Sequence, residues 1–536
     1  NLEWDMAQAI CFNYLGRQNG GQVESNEAPF SPAAIPVGAN QSELLKRSFA
    51  LAINCNLHAE GLDYAMDYGS NYADSAMLQD FNQRLENQLT HWVQLLASQD
   101  KLYTASDFPL ADLSTDTMQV INQKYADIEA IYPATPMQKG MVFHALMDEI
   151  DVYVPQSHVT FKGPFDLATF KQAWQRVIAH HEVLRSSFFV ETGEVFQLIF
   201  ERMQMPIYEM TPSEINHDIE AYKTSVQRLG FDLMSAPLMR LDIIHQDSQF
   251  DVIWTHHHSI LDGWSVPVIF NELLGHYFTL LNDSSVTIAA PKQPYREYVK
   301  WFTQQSPEQA VDFWQQQLSQ LDGKTDMGFK PHAVKPEQAY FIDNLSLDKQ
   351  TTEALSTFAK QCNVTLSTLI QGSWAWLLAR YSSNTQVCFG TTVSGRPEEV
   401  AGASEMVGLF INSLPIVTDT QAEQTTAQWL QRLQLTINTA EQNGFIPLSD
   451  IAASVNKTGA ELFDTLVIYE NYPSDIADGE GSTETDLTIT KHGTQEWTNY
   501  PLTLMIGQSD AIHIRAILDA KYQSQPWFKQ LCAQWH

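Results

Sequence analysis

Two adjacent histidines, His257 and His258, are followed by Asp262 and Gly263 in the pattern His-His-x-x-x-Asp-Gly. Residues 250–254 before them read Phe-Asp-Val-Ile-Trp, which is typical of a β-strand. An imidazole at a strand end is held by a rigid element, and its unperturbed pKa is about 6.5. His258 could therefore act as a general base or hydrogen-bond a reacting amine or hydroxyl near neutral pH.

The rest of the motif leaves other interpretations open. The run of three histidines that ends at His258 could form an accidental metal site or consist of ordinary polar residues at a strand end. Side-chain alternation predicts that His257 points away from His258 and supports the fold. Asp262 is too near in sequence to be assumed a catalytic partner, since an Asp before Gly more often fixes its own loop or pairs with an arginine. Trp264 and Ser265 complete a pattern that is far more specific than two histidines alone.

The elements that must position this motif alternate between helices and strands. Apolar residues at spacings of three and four predict an amphipathic helix over residues 167–181. We also predict helices over 115–131 and 365–380, and strands over 186–190, 195–200, 238–245 and 386–393. The alternation indicates an α/β fold class with two lobes.

Further segments carry a family resemblance when they are read together with the histidine motif. They are residues 131–141 (IYPATPMQKGM), 181–188 (HEVLRSSF), 295–301 (YREYVKW), 394–397 (SGRP) with 407–415 (VGLFINSLP), and 462–473 (LFDTLVIYENYP). In this order they resemble the signatures of the condensation-domain superfamily of nonribosomal peptide synthetases, which are relatives of chloramphenicol acetyltransferase. His180 stands where that family usually has Arg.

The resemblance implies a fold and a reaction. The fold is two chloramphenicol acetyltransferase-like lobes that form a V, with an active-site tunnel between them. The reaction forms an amide between two thioesters carried on the 4'-phosphopantetheine arms of upstream and downstream peptidyl carrier domains, beside an adenylation domain. No phosphate-binding loop, nucleophile elbow or metal-ligand spacing occurs in the sequence, which fits substrates that arrive already activated and a chain that binds no cofactor or metal itself.

The resemblance also assigns roles to motif residues. His258, the second histidine, is the catalytic candidate, either as a base or as a positioning group. Gly263 permits close backbone approach, and its amide could face the developing oxyanion. For Asp262 we expect a structural ion pair, with Arg396 as the first candidate partner and Arg185 as the second.

An approximate internal repeat predicts how the chain is divided. Residues 9–16 resemble 465–472, and the strand and helix patterns that follow recur at an offset of roughly 450 residues. We therefore expect residues 1–97 to be the carboxy-terminal remnant of an upstream homologous domain and 98–128 to be a linker. Residues 12–16 (FNYLG) and 106–110 (SDFPL) resemble an epimerization domain in particular, and the tail of a plain condensation domain is the alternative. Residues 129–536 would be the condensation domain, with lobes at about 129–300 and 301–536. An upstream epimerization domain would deliver a donor that ends in a D-residue.

Composition limits the partners and the setting. The 536 residues include 31 Lys and Arg against 63 Asp and Glu, a formal charge of −32, which disfavours nucleic acid and anionic membranes as partners. The five cysteines are scattered without metal-ligand spacing, which fits a reducing cytoplasm. No apolar run is long enough to span a bilayer, and the amino end is not a signal peptide. We read the chain as a piece of a longer polypeptide.

Alternative functions differ in a few residues. An epimerization domain shares the histidine motif but has a Glu-Gly-His-Gly-Arg-Glu run where residues 392–399 of this chain read TVSGRPEE, so its second acid–base residue is missing here. A heterocyclization domain would have Asp in place of the first histidine. A non-catalytic recruitment module usually loses the motif, and a free acyl-CoA transferase would not be expected beside a fragment of a homologous domain.

Overall fold

The computed structural model describes residues 10–17, 49–58, 61–69, 74–97, 102–147, 151–282, 293–319, 321, 323–331, 340–421, 424–470 and 487–536. The chain divides into two compact units, residues 1–102 and 103–536. Residues 98–101 of the predicted linker and 471–473 of the last signature lie outside the described residues. None of the helices in the described ranges is long and apolar enough to cross a membrane.

The first unit contains a small sheet and one long helix. Its elements are β1 (Ile10–Arg17), β2 (Leu51–His58), β3 (Gly61–Tyr68) and α1 (Ser75–Ala97). β1 pairs with β2 in parallel, and β2 pairs with β3 in the antiparallel sense. Ile53 and Cys55 on β2 are buried, whereas none of the α1 side chains is buried.

The second unit alternates helices and strands, as the sequence predicts. Its helices are α2 (Thr115–Lys124), α3 (Pro136–Met147), α4 (Leu167–His180), α5 (Ile219–Leu229), α6 (Ser265–Asn282), α7 (Arg296–Thr303), α8 (Pro307–Leu318), α9 (Lys349–Gln361), α10 (Leu366–Ser382), α11 (Thr426–Gln442), α12 (Leu448–Ala453) and α13 (Gln525–Trp535). Its strands are β4 (Ile128–Pro133), β5 (Gln156–Lys162), β6 (Ser186–Glu191), β7 (Glu194–Phe200), β8 (Ile207–Met210), β9 (Met239–Gln246), β10 (Gln249–His256), β11 (Tyr340–Leu347), β12 (Gln386–Val393), β13 (Asn412–Asp419), β14 (Thr465–Glu470), β15 (Thr488–Gln495), β16 (Leu502–Gln508) and β17 (Ile512–Asp519).

The sheets of this unit define two lobes. The first lobe has sheets in the orders β4-β7-β6 and β15-β5-β10-β9-β8, and the second has a sheet in the order β11-β17-β16-β14-β12-β13. β15 follows most of the second lobe in sequence but pairs with β5. Residues 400–410 also contribute buried side chains to the first lobe's core, among them Val400, Met406 and Phe410. The predicted division of the lobes at about residue 300 is therefore incomplete. β15 and residues 400–410 come after residue 300 but belong to the first lobe.

The strand that carries the motif lies inside its sheet. β10 pairs with β5 on one side and β9 on the other, with Trp254 opposite Ser157 and Leu241. α4 packs on this sheet; it begins after Asp166, whose carboxylate accepts from the Thr169 N–H, and it buries an apolar stripe that includes Trp174. Central pairing and a packed helix make β10 a rigid base for the loop after it.

The helix predicted over residues 115–131 is too long, because α2 ends at Lys124 and Ile128 begins β4. The break occurs where Tyr125 takes an extended conformation and Asp127 has a positive φ of 53°. Apolar residues that fit a helical period then pair as a strand with β7, so tertiary pairing overrides the local pattern.

The segment predicted as a linker is packed from Tyr103 onwards. Phe108, Met118 and Ile121 are buried with Phe189 and Leu198 of β6 and β7. Residues 103–128 therefore form part of the second unit's core, and the polar turns that suggest a linker lie on its surface.

Candidate active site

The loop after β10 is anchored by its backbone on both flanks. His257 N–H donates to Leu238 O at 2.9 Å, and His258 N–H donates to Tyr153 O at 2.8 Å. These bonds come from segments on opposite sides of β10, so the loop leaves the sheet in a fixed direction.

His258 is held in one tautomer. Its Nδ1 lies 2.8 Å from Leu261 O, and a carbonyl can only accept, so Nδ1 carries the proton of the neutral ring. Nε2 is then left with the lone pair. The side chain is half-buried and lines the cavity between the lobes. This arrangement supplies a proton acceptor of fixed orientation.

His257 is fully buried and faces other partners. Its Nδ1 accepts from the Ser259 N–H at 3.1 Å, which places the proton on Nε2, 2.9 Å from Asp151 Oδ2. Burial alone would raise the pKa of the Asp151 carboxyl, but the contact with His257 and the Tyr153 N–H outweigh burial and hold it below its usual value. His257 thus ties the loop to the segment before β5, away from the cavity.

His256 is buried against a tryptophan and does not join the other two histidines. Its ring centroid lies 4.5 Å from that of Trp254. Burial, together with the neighbouring histidines, lowers its pKa well below the usual value, so it stays neutral. The three adjacent imidazoles therefore have separate surroundings.

Asp262 lies fully buried at the junction of the lobes. Its Oδ1 accepts from Ser265 N–H at 3.0 Å and from Arg396 Nη2 at 2.9 Å, and its Oδ2 accepts from Phe410 N–H at 3.2 Å. The Asp262 N–H donates to Gly408 O at 3.0 Å. A carboxylate with this many donors is committed to holding the motif loop against the 400–410 segment.

Arg396 and Arg185, the two arginines named as partners for Asp262, have different positions. The Arg396 guanidinium bonds Asp262 and Met406 O and lies over the Phe410 ring, 4.0 Å from its centroid. Arg185 instead pairs with Glu129 at 2.6 Å and donates to backbone carbonyls of its own neighbourhood.

Two glycines make the loop around Arg396 possible. Gly395 has a φ of +61°, and a Cβ there would lie 1.9 Å from Phe410 O. A Cβ on Gly408 would lie 2.2 Å from the Tyr295 ring. Tyr295 is buried, and its hydroxyl donates to Leu409 O at 2.8 Å. Close backbone approach at both positions is what brings the guanidinium and Phe410 N–H to the Asp262 carboxylate.

A cavity of about 1220 Å³ lies between the lobes. His258, Gly263 and Trp264 line it from the first lobe, and Ile468 and Tyr469 of β14 line it from the second. A second cavity of about 600 Å³ has part of its lining in common with the first. The shared residues are Pro136, Met137, Ile411 and Asn412. The two cavities therefore adjoin one another at these residues.

Several supporting residues were not singled out from the sequence. Asp151 has no motif around it, and its role depends on the fold. Gln138 is buried and donates from Nε2 to Ser259 O and Gln197 Oε1, both at 3.0 Å. Its place in the signature at 131–141 was the one sequence signal for it. The hydrogen bond to Ser259 O shows that it holds the motif loop.

Comparison with known proteins now assigns the family. The family profile described as "Condensation domain" matches residues 128–535. The chain belongs to the condensation-domain family. It is 32% identical over 525 residues to a component of the linear gramicidin synthase of Brevibacillus parabrevis, covering 92% of this chain and 10% of that protein. It is 29% identical over 548 residues to a component of the mycosubtilin synthase of Bacillus subtilis, covering 98% of this chain and 20% of that protein.

Solved structures show the same fold for this condensation domain. A four-domain nonribosomal peptide synthetase bound to AMP and glycine superposes with a TM-score of 0.65 at 18% identity, covering 76% of this chain and 32% of that one. The X-domain from teicoplanin biosynthesis superposes with a TM-score of 0.64 at 21% identity, covering 75% and 93%. The fold is the chloramphenicol acetyltransferase-like α/β fold predicted from the motifs.

Proposed function

We propose that this chain forms a peptide bond in nonribosomal peptide synthesis. It transfers an aminoacyl or peptidyl group from an upstream carrier-protein thioester to the amine of a downstream carrier-bound aminoacyl thioester. The chain spans only 10–20% of the length of the synthases named above, so the carrier and adenylation domains are proposed partners. The five cysteines are free thiols, in keeping with a reducing cytoplasm.

The observation that carries this proposal is the state of His258. Its Nδ1–H is occupied by Leu261 O, which leaves the lone pair of Nε2 for a substrate in the cavity between the lobes. The amine nitrogen attacks the thioester carbonyl, the C–N bond forms, and the C–S bond breaks. The proton lost by nitrogen passes to Nε2 and then to the departing thiolate, so the ring returns to its starting state.

The two adjoining cavities offer room for two substrates on long arms. Each substrate would arrive on the 4'-phosphopantetheine arm of a carrier domain and reach the space beside His258 from its own side. Gly263 lines this space, and we assign its N–H to the developing oxyanion. Asp262 stays outside this chemistry because its carboxylate is committed to Arg396 and the backbone.

We further propose that the donor ends in a D-residue. The first unit, residues 1–102, is compact by itself, and relatives align with up to 98% of the chain although the family profile begins at residue 128. Both facts support a separate upstream domain that ends here, and we infer its epimerization type from the sequence resemblance alone. Such a domain delivers a mixture of epimers, so the coupling site that follows it must choose between them.

A single-turnover coupling assay tests both parts of the proposal. L and D epimers of one donor are loaded on the upstream carrier, an L-configured or achiral acceptor is loaded on the downstream carrier, and the amide is read by mass spectrometry with chiral analysis. We expect amide formation, faster for the D donor by up to about a hundredfold, because a misplaced side chain shifts the carbonyl by about an ångström.

The other outcomes separate the alternatives. Amide at equal rates, or faster from the L donor, would overturn the stereochemical part alone. Loss of donor chirality without an acceptor would identify an epimerization domain. No amide from any correctly loaded pair would favour a recruitment module.

A further inference from the structure

Three histidines and one glutamate converge on the first lobe, outside the active site. His180 ends α4, His181 follows it, and Glu272 and His276 lie one turn apart on α6. His276 is buried, whereas His180 and Glu272 keep partial exposure of 15% and 20%. The cluster is therefore built into the α4–α6 interface and is open to solvent at one side.

The ring nitrogens are aimed at one carboxylate. His180 Nδ1 lies 2.7 Å and His276 Nε2 lies 3.1 Å from the same oxygen, Glu272 Oε1. His181 Nε2 lies 2.6 Å from the other oxygen, Oε2, and so orients the carboxylate. Within the described part of the chain, His180, Glu272 and His276 are the only trio whose ligand atoms all lie within 4.8 Å of one another.

We propose that His180, Glu272 and His276 form a binding site for a divalent transition-metal ion of the zinc type, with His181 as the outer partner that orients Glu272. Two imidazole nitrogens and one carboxylate oxygen are a common ligand set for Zn²⁺, and a fourth position would be open to water from the exposed side. Ligand atoms about 2.0–2.2 Å from a tetrahedral ion are roughly 3.3 Å apart. The present contacts to Oε1, 2.7 Å from His180 and 3.1 Å from His276, would need to lengthen by about 0.6 and 0.2 Å.

The site would fix α4 to α6, the helix that begins at Ser265 directly after the active-site loop. No metal-ligand spacing is visible in the sequence because His180 and Glu272 lie 92 residues apart. The i,i+4 pair of Glu272 and His276 was the only local signal.

The test is stoichiometric metal binding by the full chain. Protein freed of metal with EDTA is dialysed and titrated with ZnCl₂ by calorimetry, and CoCl₂ gives a second readout through its visible absorption. We expect one tight equivalent in the unaltered chain and a rise in thermal midpoint on adding zinc. In His180→Arg, we expect affinity to fall by at least about 100-fold, more than loss of an outer partner costs.

Matched variants show whether other histidines bind the zinc and whether a loss of binding comes from misfolding. Arginine at position 180 can still pair with Glu272, and the thermal midpoint without metal shows whether that variant is folded. His217→Arg alters an exposed histidine away from the cluster and should bind normally, as should His258→Ala in the run of three histidines. No stoichiometric binding by the unaltered chain, equal binding by His180→Arg, or loss of binding in His258→Ala would each overturn the proposal.

Discussion

His258 and Asp262 lie four residues apart but differ in burial and in their hydrogen-bond partners. His258 has one nitrogen fixed by a backbone carbonyl and lines a large cavity, so it can exchange a proton with a substrate. Asp262 is fully buried and saturated by Arg396 and by backbone N–H groups of two segments. A group that must change protonation needs access and spare bonding capacity, whereas a group that locks a loop needs neither.

Asp262→Ala should therefore lower stability rather than the chemical rate alone. It leaves the Arg396 guanidinium, which is 7% exposed, without its counter-charge, and breaking a buried pair costs about 3–5 kcal/mol. We expect a large fall in the urea midpoint or insoluble protein. Asp510→Ala is the matched control, because it removes an exposed partner of Lys349, and such pairs contribute about 0–1 kcal/mol. An Asp262→Ala protein that unfolds normally but couples slowly would make Asp262 catalytic.

The sequence alone predicts only some of the contacts of these motif residues. It could propose a buried ion pair for Asp262 because carboxylates in Asp-Gly loops need a partner. It named Arg396 as the first candidate and Arg185 as the second, but it could not give the geometry of the pair, since Arg396 is 134 residues away and its position depends on how the lobes meet. Asp151, the partner of His257, carried no recognisable signal at all.

The elements around the site join by close backbone approach. The 400–410 segment and the turn at Gly395 meet the motif loop with little space for side chains. A left-handed backbone at Gly395 and the contact with Phe410 O are both consequences of that approach. Packing at this junction is accordingly sensitive to a single methyl group.

Gly395→Ala should destabilise the second unit. The left-handed conformation costs an L-residue about 1–2 kcal/mol, and the added Cβ would meet Phe410 O at 1.9 Å. We expect a lower thermal midpoint and impaired coupling. Gly507→Ala in β16 is the control, because nothing lies within 4 Å of a Cβ there, and it should change stability by less than about 1 kcal/mol. Equal midpoints for the two variants would contradict this account of the junction.

Element type was predictable where local pattern and tertiary pairing agree. The strand predicted over 386–393 has the same bounds as β12, and the helix predicted over 167–181 corresponds to α4. The helix predicted over 115–131 failed because its last residues are recruited by β7, which the local pattern cannot show. Helical and strand periods are hard to separate in short apolar runs.

In the second unit, the order of segments along the chain differs from their arrangement in the two lobes. β15 and residues 400–410 belong to the second half of the sequence but complete the first lobe. Residues 103–127 precede the family profile but share a buried cluster with Phe189 and Leu198. The family and its two-lobed fold could be predicted from ordered signatures, whereas these exchanges could not, because they depend on long-range pairing.

Truncation should distinguish the packed segment from a linker. A fragment of residues 103–536 should fold and stay soluble, since it is a compact unit. A fragment of residues 129–536 should be less stable or aggregate, because it uncovers Phe189 and Leu198. Solubility and thermal midpoints of the two fragments check this. Equal stability would show that residues 103–128 are dispensable, as a linker would be.

We propose that His258 takes part in amide formation between two carrier-bound thioesters. Its most direct test is the single-turnover rate of coupling by His258→Ala, with His217→Ala as the control at an exposed histidine. We predict that the rate falls by about two to four orders of magnitude in His258→Ala, the usual contribution of one acid–base group, while its thermal midpoint and the control's rate stay unchanged. A folded His258→Ala protein that couples at a near-normal rate would contradict the account.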